Sequence, residues 1–541
     1  MPHMPDSETD RNHLSSEDRL LSSAAGKPFA EIGDLLKFTH SRALLIGVFS
    51  ISFICFALLL NSSWNATPDS ALYLSLGESL ERGNGYVFNG EPHTFVPPGY
   101  PLLIAASAKL LGSSFFSYRV VMIVLGFLTA IAGYLFVRVL CGKDTALLVG
   151  GVFALNHVLL HFSAHTLSDV PFALVVTAAM IAVVKACDDR LRKPWIVLAG
   201  LLMGLPPLLR INGLGTAPAV VLGFWFMWGD FSRRERLLWI VIFLVLALVP
   251  FGYWQWLKAS FPVSESEGTY WNAVAGRTLQ DQLACILKSG WGHFRETSLA
   301  LTGVYIRTGF LELIVPGITL YGMYAAVRNG DRLWVPLVAI QYAGISLSSA
   351  GARYILFMIP LLYLFFALGL VRITTCVPAI ARRVPDPGRV LIVVFLIFGI
   401  LNLGHNMVPI YHARTALESN GPETARSRPY FEAARWLSRH APDATVLTSR
   451  PRIVHYLSGN RTIPLVRSGV PDHEIWVRGE SQIERIVRTQ NPEFLYIDSK
   501  GERMYWDVLG TLKAMNRRLE RIDLPGSDRY RLFRIPGGSS R

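Results

Sequence analysis

Long apolar runs separated by short polar ones set the plan of this chain. Stretches of roughly spanning length, about 17–22 residues each, recur along its first three-quarters. They fall at 43–61, 118–138, 145–162, 170–187, 195–211, 213–229, 237–257, 308–327, 334–350, 354–373 and 389–409. Each predicts an apolar helix, so the pattern predicts about eleven transmembrane helices. The widest early interruption, from Asn61 to Pro101, carries too many charges, glycines and prolines to continue the run before it and leaves the bilayer there. Within it, Leu72, Leu76 and Leu80 line one face of a short helix that starts at Thr67-Pro68-Asp69.

Beyond residue 411 the pattern becomes that of a soluble α/β domain. Helices are predicted at Pro429–His440, Ile453–Leu457, Ser481–Thr489 and Tyr505–Leu519. Strands are predicted at Thr445–Ser449, Thr462–Val466, Phe494–Asp498 and Tyr530–Ile535. This region shows no glycine-rich phosphate loop, metal cluster or nucleophile elbow, which favours a structural or acceptor-docking role over a second enzyme.

Composition agrees with the pattern. A chain of 541 residues that is 51% hydrophobic and 17% charged, with positive mean hydropathy, is an α-helical polytopic membrane protein rather than a soluble one. Its net charge of +13 does not point to nucleic acid, because the basic residues sort by loop. Arg11, Arg19, Lys27, Lys37 and Arg42 precede the first run, and Arg138 and Lys143 follow the second. Lys185, Arg190, Arg192 and Lys193 follow the fourth, Arg233, Arg234 and Arg236 the sixth, Arg328 and Arg332 the eighth, and Arg372, Arg382, Arg383 and Arg389 the tenth. This alternation makes 1–42 a cytoplasmic tail, 43–410 a membrane core, and 411–541 an extracytoplasmic domain. The first run is expected to remain as a span. Of the five cysteines, only Cys285 reaches the outer side, so no intramolecular disulfide is expected there.

The same parity puts five segments outside: 62–117, Ala164–Asp169, the turn at Arg210–Gly213, the loop 258–307, and Ser348–Tyr354. The loop 258–307, with Ser264, Glu265, Ser266 and Glu267 beside Tyr270, Trp271 and Trp291, reads either as a closing lid or as a linker on the headgroups. Asp69, one helical turn before Tyr73, is a candidate general base; capping its own helix is the plainer reading, and both stay open. Asp169, in Ser168-Asp169-Val170-Pro171 at the start of the fourth run, divides in the same way between a helix end and chemistry. Arg353 runs against the cytoplasmic bias and suits either a lipid phosphate or snorkelling to ordinary headgroups. The same argument applies to Arg210. His93 and His165 are candidate substrate contacts or simple polar contacts at the interface.

Taken in order, these segments resemble the GT-C superfamily of polytopic glycosyltransferases, in the branch with protein O-mannosyltransferases and the bacterial lipid A aminoarabinose transferase. Asp69 with Tyr73 resembles that family's acidic first-loop motif, and Gly83-Asn84-Gly85-Tyr86 and Pro97-Pro98-Gly99-Tyr100-Pro101 its later first-loop segments. Ser168-Asp169-Val170-Pro171 resembles the acidic element before its fourth span. Gly200-Leu201-Leu202-Met203-Gly204 through Arg210 resembles its fifth-span run, and Arg353-Tyr354 through Pro360 its late Arg-aromatic span. Ser70 stands where the mannosyltransferases commonly carry a second acidic residue, and the lysine motif of the aminoarabinose transferase is not evident.

The resemblance implies transfer of a sugar from a polyprenyl-phosphate-linked donor to a lipid, glycan or protein acceptor on the outer face of a membrane, the bacterial plasma membrane being expected. Asp69 and Asp169 would be catalytic, Arg353 and Arg210 would hold the donor phosphate, and Tyr73, His93, Tyr100, His165 and Tyr354 would contact substrate. A divalent cation between Asp69, Asp169 and the phosphate stays open. The rival reading is a transporter or lipid flippase with an outer binding domain, although the two halves show no convincing internal repeat.

Overall fold

A computed structural model of the chain describes residues 27–36, 42–187, 192–228, 231–261, 278–304, 311–347, 351–384, 386–418, 423–424, 427–468, 474–476, 480–498, 502–515, 519–524 and 531–536. Every apolar run contains a helix. Five helical segments among the described residues are long and apolar enough to cross a membrane: Phe115–Ala154, Asp169–Ala186, Arg233–Ala259, Ala352–Cys376 and Pro387–Ala416. Among the rest, Arg42–Ala57 (α1) and Trp334–Ile345 are shorter. The chain is therefore a multi-pass α-helical membrane protein.

The segment Phe115–Ala154 is two helices rather than one. Phe115–Thr145 (α4) contains Gly142 at φ 81°, a left-handed conformation that glycine adopts without a Cβ clash. The chain reverses there. Gly133 then lies against Phe153, Gly150 against Tyr134, and Gly126 against Ser163, the antiparallel match of a helical hairpin with small residues at its seam. The return arm breaks after Ala154 and resumes as His157–Ser163 (α5). Asn156 caps this helix by accepting from the backbone N–H of Val158 and Leu159 at 3.0 and 3.2 Å.

Four elements build the region around Asp69. Pro68–Glu81 (α2) follows the first span, and Gly99–Leu111 (α3) lies beside it with Leu102, Leu110 and Leu111 exposed. Between them a small antiparallel hairpin pairs Val87–Phe88 (β1) with Glu91–Pro92 (β2). Asp169–Ala186 (α6) begins next to α2. The segment 258–307 is not a plain loop. Its described part is a 24-residue helix, Leu279–Thr302 (α7), whose exposed Leu279, Leu283, Leu287 and Trp291 recur every fourth residue. Such a stripe suits the membrane interface. Ser264 to Trp271 lie outside the described residues, as do Ser348 to Ala350.

The last long helix, Pro387–Glu418 (α9), leads to the C-terminal α/β region. Val446–Thr448 (β3) pairs in parallel with Thr462–Pro464 (β4) and with Phe494–Ile497 (β7), and β7 pairs antiparallel with Arg531–Arg534 (β9), which pairs with Glu520–Ile522 (β8). The sheet order is β4-β3-β7-β9-β8. The eight predicted helices and strands all form. The sequence pattern missed β8 and a separate hairpin of Val466–Ser468 (β5) with Glu474–Trp476 (β6). Three-residue strands of this kind are too short to establish an alternation. Between β3 and β4 runs the helix Pro451–Ser458 (α10), which packs on α2.

Candidate active site

The start of α2 separates the capping role from Asp69. Thr67 is the N-cap, accepting from the backbone N–H of Ser70 at 3.1 Å, while Ser70 Oγ accepts from the backbone N–H of Thr67 at 3.0 Å. This reciprocal box satisfies the helix end. Asp69 is left with a half-exposed carboxylate, 41% accessible, and its partners are cations. Arg353, at the start of Ala352–Cys376 (α8), approaches Oδ2 at 3.4 and 3.5 Å through its two terminal nitrogens. Arg452 of α10 approaches Oδ1 at 3.5 Å. These are long contacts for charged groups, so neither guanidinium is saturated by the carboxylate.

Asp169 is held differently. Its side chain is 1% accessible and accepts from Arg210 Nη1 at 2.5 Å. Ser168, the N-cap of α6, makes no capping bond with its side chain. Its hydroxyl lies 3.4 Å from Arg210 Nη1 and 3.3 Å from the Tyr73 hydroxyl. Tyr73, Ser168, Asp169 and Arg210 thus tie α2 to the base of α6 and to the turn at Arg210. Burial first, and then the charge of Asp69, push the Tyr73 phenol up to about 12. It stays protonated and able to donate.

Tyr354 joins the two arginines. Its hydroxyl accepts from Arg353 Nη2 at 2.6 Å, and the Arg210 guanidinium lies 5.1 Å from its ring centroid. Arg210, expected as a phosphate ligand, is committed here to Asp169. Two further candidates are buried. Tyr100 is fully buried, with its hydroxyl 3.3 Å from Met122 Sδ and its ring edge-on to Tyr73. His93 is buried between Tyr86 and Phe88 and accepts from the Val96 backbone N–H. Both shape the first loop from inside it.

A cavity of about 1260 Å³ adjoins this cluster. Thr67 and Arg353 line it, as do Tyr354, His165 and Arg119. Sequence reading passed over the rest of its polar wall. His157, His161 and His165 recur every fourth residue along and just beyond α5, and His405 of α9 faces them. Ring centroids are 3.9 Å apart for His157 and His405, 5.6 Å for His157 and His161, and 4.7 Å for His161 and His165. The spacing of the first three was visible in the sequence as a one-face pattern; His405 had no local signal. Arg119 donates to the backbone carbonyls of Ala164 and Ser63 and so fixes two edges of the cavity.

Among the described residues no group of three His, Cys, Asp or Glu is placed to hold a metal ion. The two carboxylates proposed to share a cation each face guanidinium groups instead. They do not form a metal donor set.

Comparison with solved structures decides the architecture. ArnT from Cupriavidus metallidurans in the apo state superposes with a TM-score of 0.55 at 13% identity, covering 91% of this chain and 98% of that one. The chain has the GT-C fold. ArnT bound to undecaprenyl phosphate gives a TM-score of 0.54 at 13% identity, covering 92% and 98%. The archaeal oligosaccharyltransferase AglB from Archaeoglobus fulgidus, in complex with an inhibitory peptide and a dolichol-phosphate, gives 0.53 at 14% identity, covering 86% and 71%. In sequence, the family model described as dolichyl-phosphate-mannose-protein mannosyltransferase matches residues 95–254. That segment holds Asp169 and Arg210 but neither Asp69 nor Arg353. No curated protein matches the sequence.

Proposed function

We propose that the chain is a membrane glycosyltransferase that moves a sugar from a polyprenyl-phosphate donor to an acceptor hydroxyl on the outer face of the membrane, with Asp69 as general base. The observation that carries this reading is the contrast between the two aspartates. Asp169 is buried in a tight ion pair, whereas Asp69 is half-exposed, spared from capping and only loosely held beside an arginine that also lines the cavity. The GT-C fold agrees with it, and ArnT and AglB are seen with undecaprenyl phosphate and dolichol-phosphate respectively.

The chemistry follows from the placement. The donor's phosphate and sugar occupy the cavity, with a phosphate oxygen on Arg353 and sugar hydroxyls within reach of His165 and the other imidazoles. The prenyl tail lies in lipid. An acceptor hydroxyl enters on the exposed side of Asp69, which takes its proton as the oxygen attacks the anomeric carbon. The new C–O bond forms as the bond from the anomeric carbon to the phosphate oxygen breaks. Its electron pair leaves with the phosphate, whose added charge Arg353 stabilises. A single displacement of this kind inverts the anomeric centre. Asp169 and Arg210 keep Tyr354, and through it Arg353, in place.

The test is release of lipid phosphate by purified protein in lipid, across a panel of radiolabelled polyprenyl-phosphate sugars. Asp69→Asn is expected to lower turnover by about 10²–10⁴-fold, with donor binding retained. Equal turnover would remove Asp69 from the chemistry. A wild-type chain that binds and releases no donor would overturn the transferase reading in favour of transport.

A further inference from the structure

The region after the last span reaches the site through one turn. Parallel strands β3 and β7 end side by side, and in open α/β sheets the carboxyl ends of such strands are where functional loops gather. Asp498, buried at the end of β7, accepts from Arg450 Nε at 2.6 Å, Ser449 Oγ at 3.1 Å and the Tyr430 hydroxyl at 3.2 Å. Three donors on one carboxylate fix the turn that leaves β3. Pro451 then opens α10 at a position where its fixed φ suits a first helical residue. The next residue is Arg452.

Arg452 is buried, its guanidinium between Asp69 and the Phe95 ring, whose centroid is 5.7 Å away. The rest of α10 is fastened to the first outer loop. Tyr456 donates to Glu78 Oε1 of α2 at 2.9 Å, and its ring meets Trp64 edge-on. Asn89 donates to the Thr462 carbonyl and accepts from the Thr462 N–H, both at 2.8 Å, while its own N–H donates to His455 Nε2 at 3.2 Å. A domain merely tethered to the core would not need contacts this specific around the carboxylate.

Building on the transferase reading above, we propose that Arg452 is a positioning residue for the base. Arg353 bears on Oδ2 and Arg452 on Oδ1, so two guanidiniums, one from the membrane core and one from the C-terminal region, set the plane of the Asp69 carboxylate. The exposed edge of that plane is then turned toward the acceptor hydroxyl. The C-terminal region thereby completes the catalytic centre instead of serving only to collect acceptors.

The test compares wild type, Arg452→Ala, Arg452→Lys and Asp69→Asn in the full chain reconstituted in lipid. Arg452→Ala is expected to lower kcat on the order of 10²-fold, the cost of a misplaced catalytic group, with KM for the donor unchanged. Arg452→Lys should fall between, since it keeps the charge without the fork. Guanidinium ion at millimolar concentration should restore part of the Arg452→Ala rate and none of the Asp69→Asn rate. Wild-type kcat in Arg452→Ala, beside an inactive Asp69→Asn, would overturn the positioning role and leave the transferase reading standing. So would a loss that guanidinium does not rescue, with or without a lowered melting temperature. A wild-type chain inactive with every donor would overturn both.

Discussion

Asp169 and Arg210 form a tightly held, buried charge pair, and their burial fixes what a single change does there. Removing one member strands the other in a site with almost no water contact, a loss typically costing about 3–5 kcal/mol. Asp169→Asn and Arg210→Met are each expected to lower the melting temperature in detergent. The double change should recover part of that loss, because no uncompensated charge remains. Recovery of nothing would place the role of Asp169 outside the pair. At this scale the sequence was a partial guide. Asp69, Asp169, Arg353 and Arg210 stood out as charges at the ends of apolar runs, and the structure gathers all four around Tyr354 and Tyr73. Arg452 gave no such signal, because an arginine in a soluble α/β segment is ordinary until folding brings it against Asp69. The burial of Tyr100 and His93 was not legible, because a polar tip in a loop motif looks available, whereas the first loop folds over them.

Among the elements, α10 and the hairpin β1–β2 depend on one imidazole. His455 Nδ1 donates to the Asn460 carbonyl at 2.8 Å and Nε2 accepts from the Asn89 N–H, so the ring is neutral, with Phe88 edge-on to it. Burial holds its pKa below the usual value. The docked state therefore resists a proton that the released state accepts. Docking is at full strength above about pH 6.5, and it weakens as pH falls toward the lower docked-state value. Hydrogen-exchange protection of the Asn89 amide, corrected for intrinsic rates, is expected to drop from about pH 7 to about pH 5. His455→Gln should lessen that dependence. Unchanged protection in the wild type would remove His455 from the docking. Helices and longer strands here were legible from periodicity and from caps such as Thr67. The reversal at Gly142 was legible only as a gap between two apolar runs, and the α7 helix was hidden by its mixed composition: an interfacial helix is too polar to read as a span.

For the whole molecule, the alternation of basic loops predicts one orientation, and one native cysteine can report on it. Cys376 is exposed at the last residue of α8, the end that the basic loops predict to be cytoplasmic. A membrane-impermeant maleimide is expected to label it in inside-out vesicles and to leave it unlabelled in intact cells. The opposite pattern would invert the topology and move Asp69 to the inner face. The multi-pass plan and the α/β region after it were readable in advance, because both rest on periods of hydrophobicity within single elements. How the last region turns back onto the first loop was not readable, because contacts such as Asn89 with Thr462 join positions from opposite ends of the chain.

That return contact has a consequence in time. Translation releases the α2 carboxylate early, and the turn bearing Arg452 emerges only after every apolar helix has been made. Until the final sheet has folded, Asp69 lacks one of its two guanidinium partners. On the proposed mechanism, a half-made chain is accordingly slow, and full activity waits for the sheet that carries Arg452 to fold.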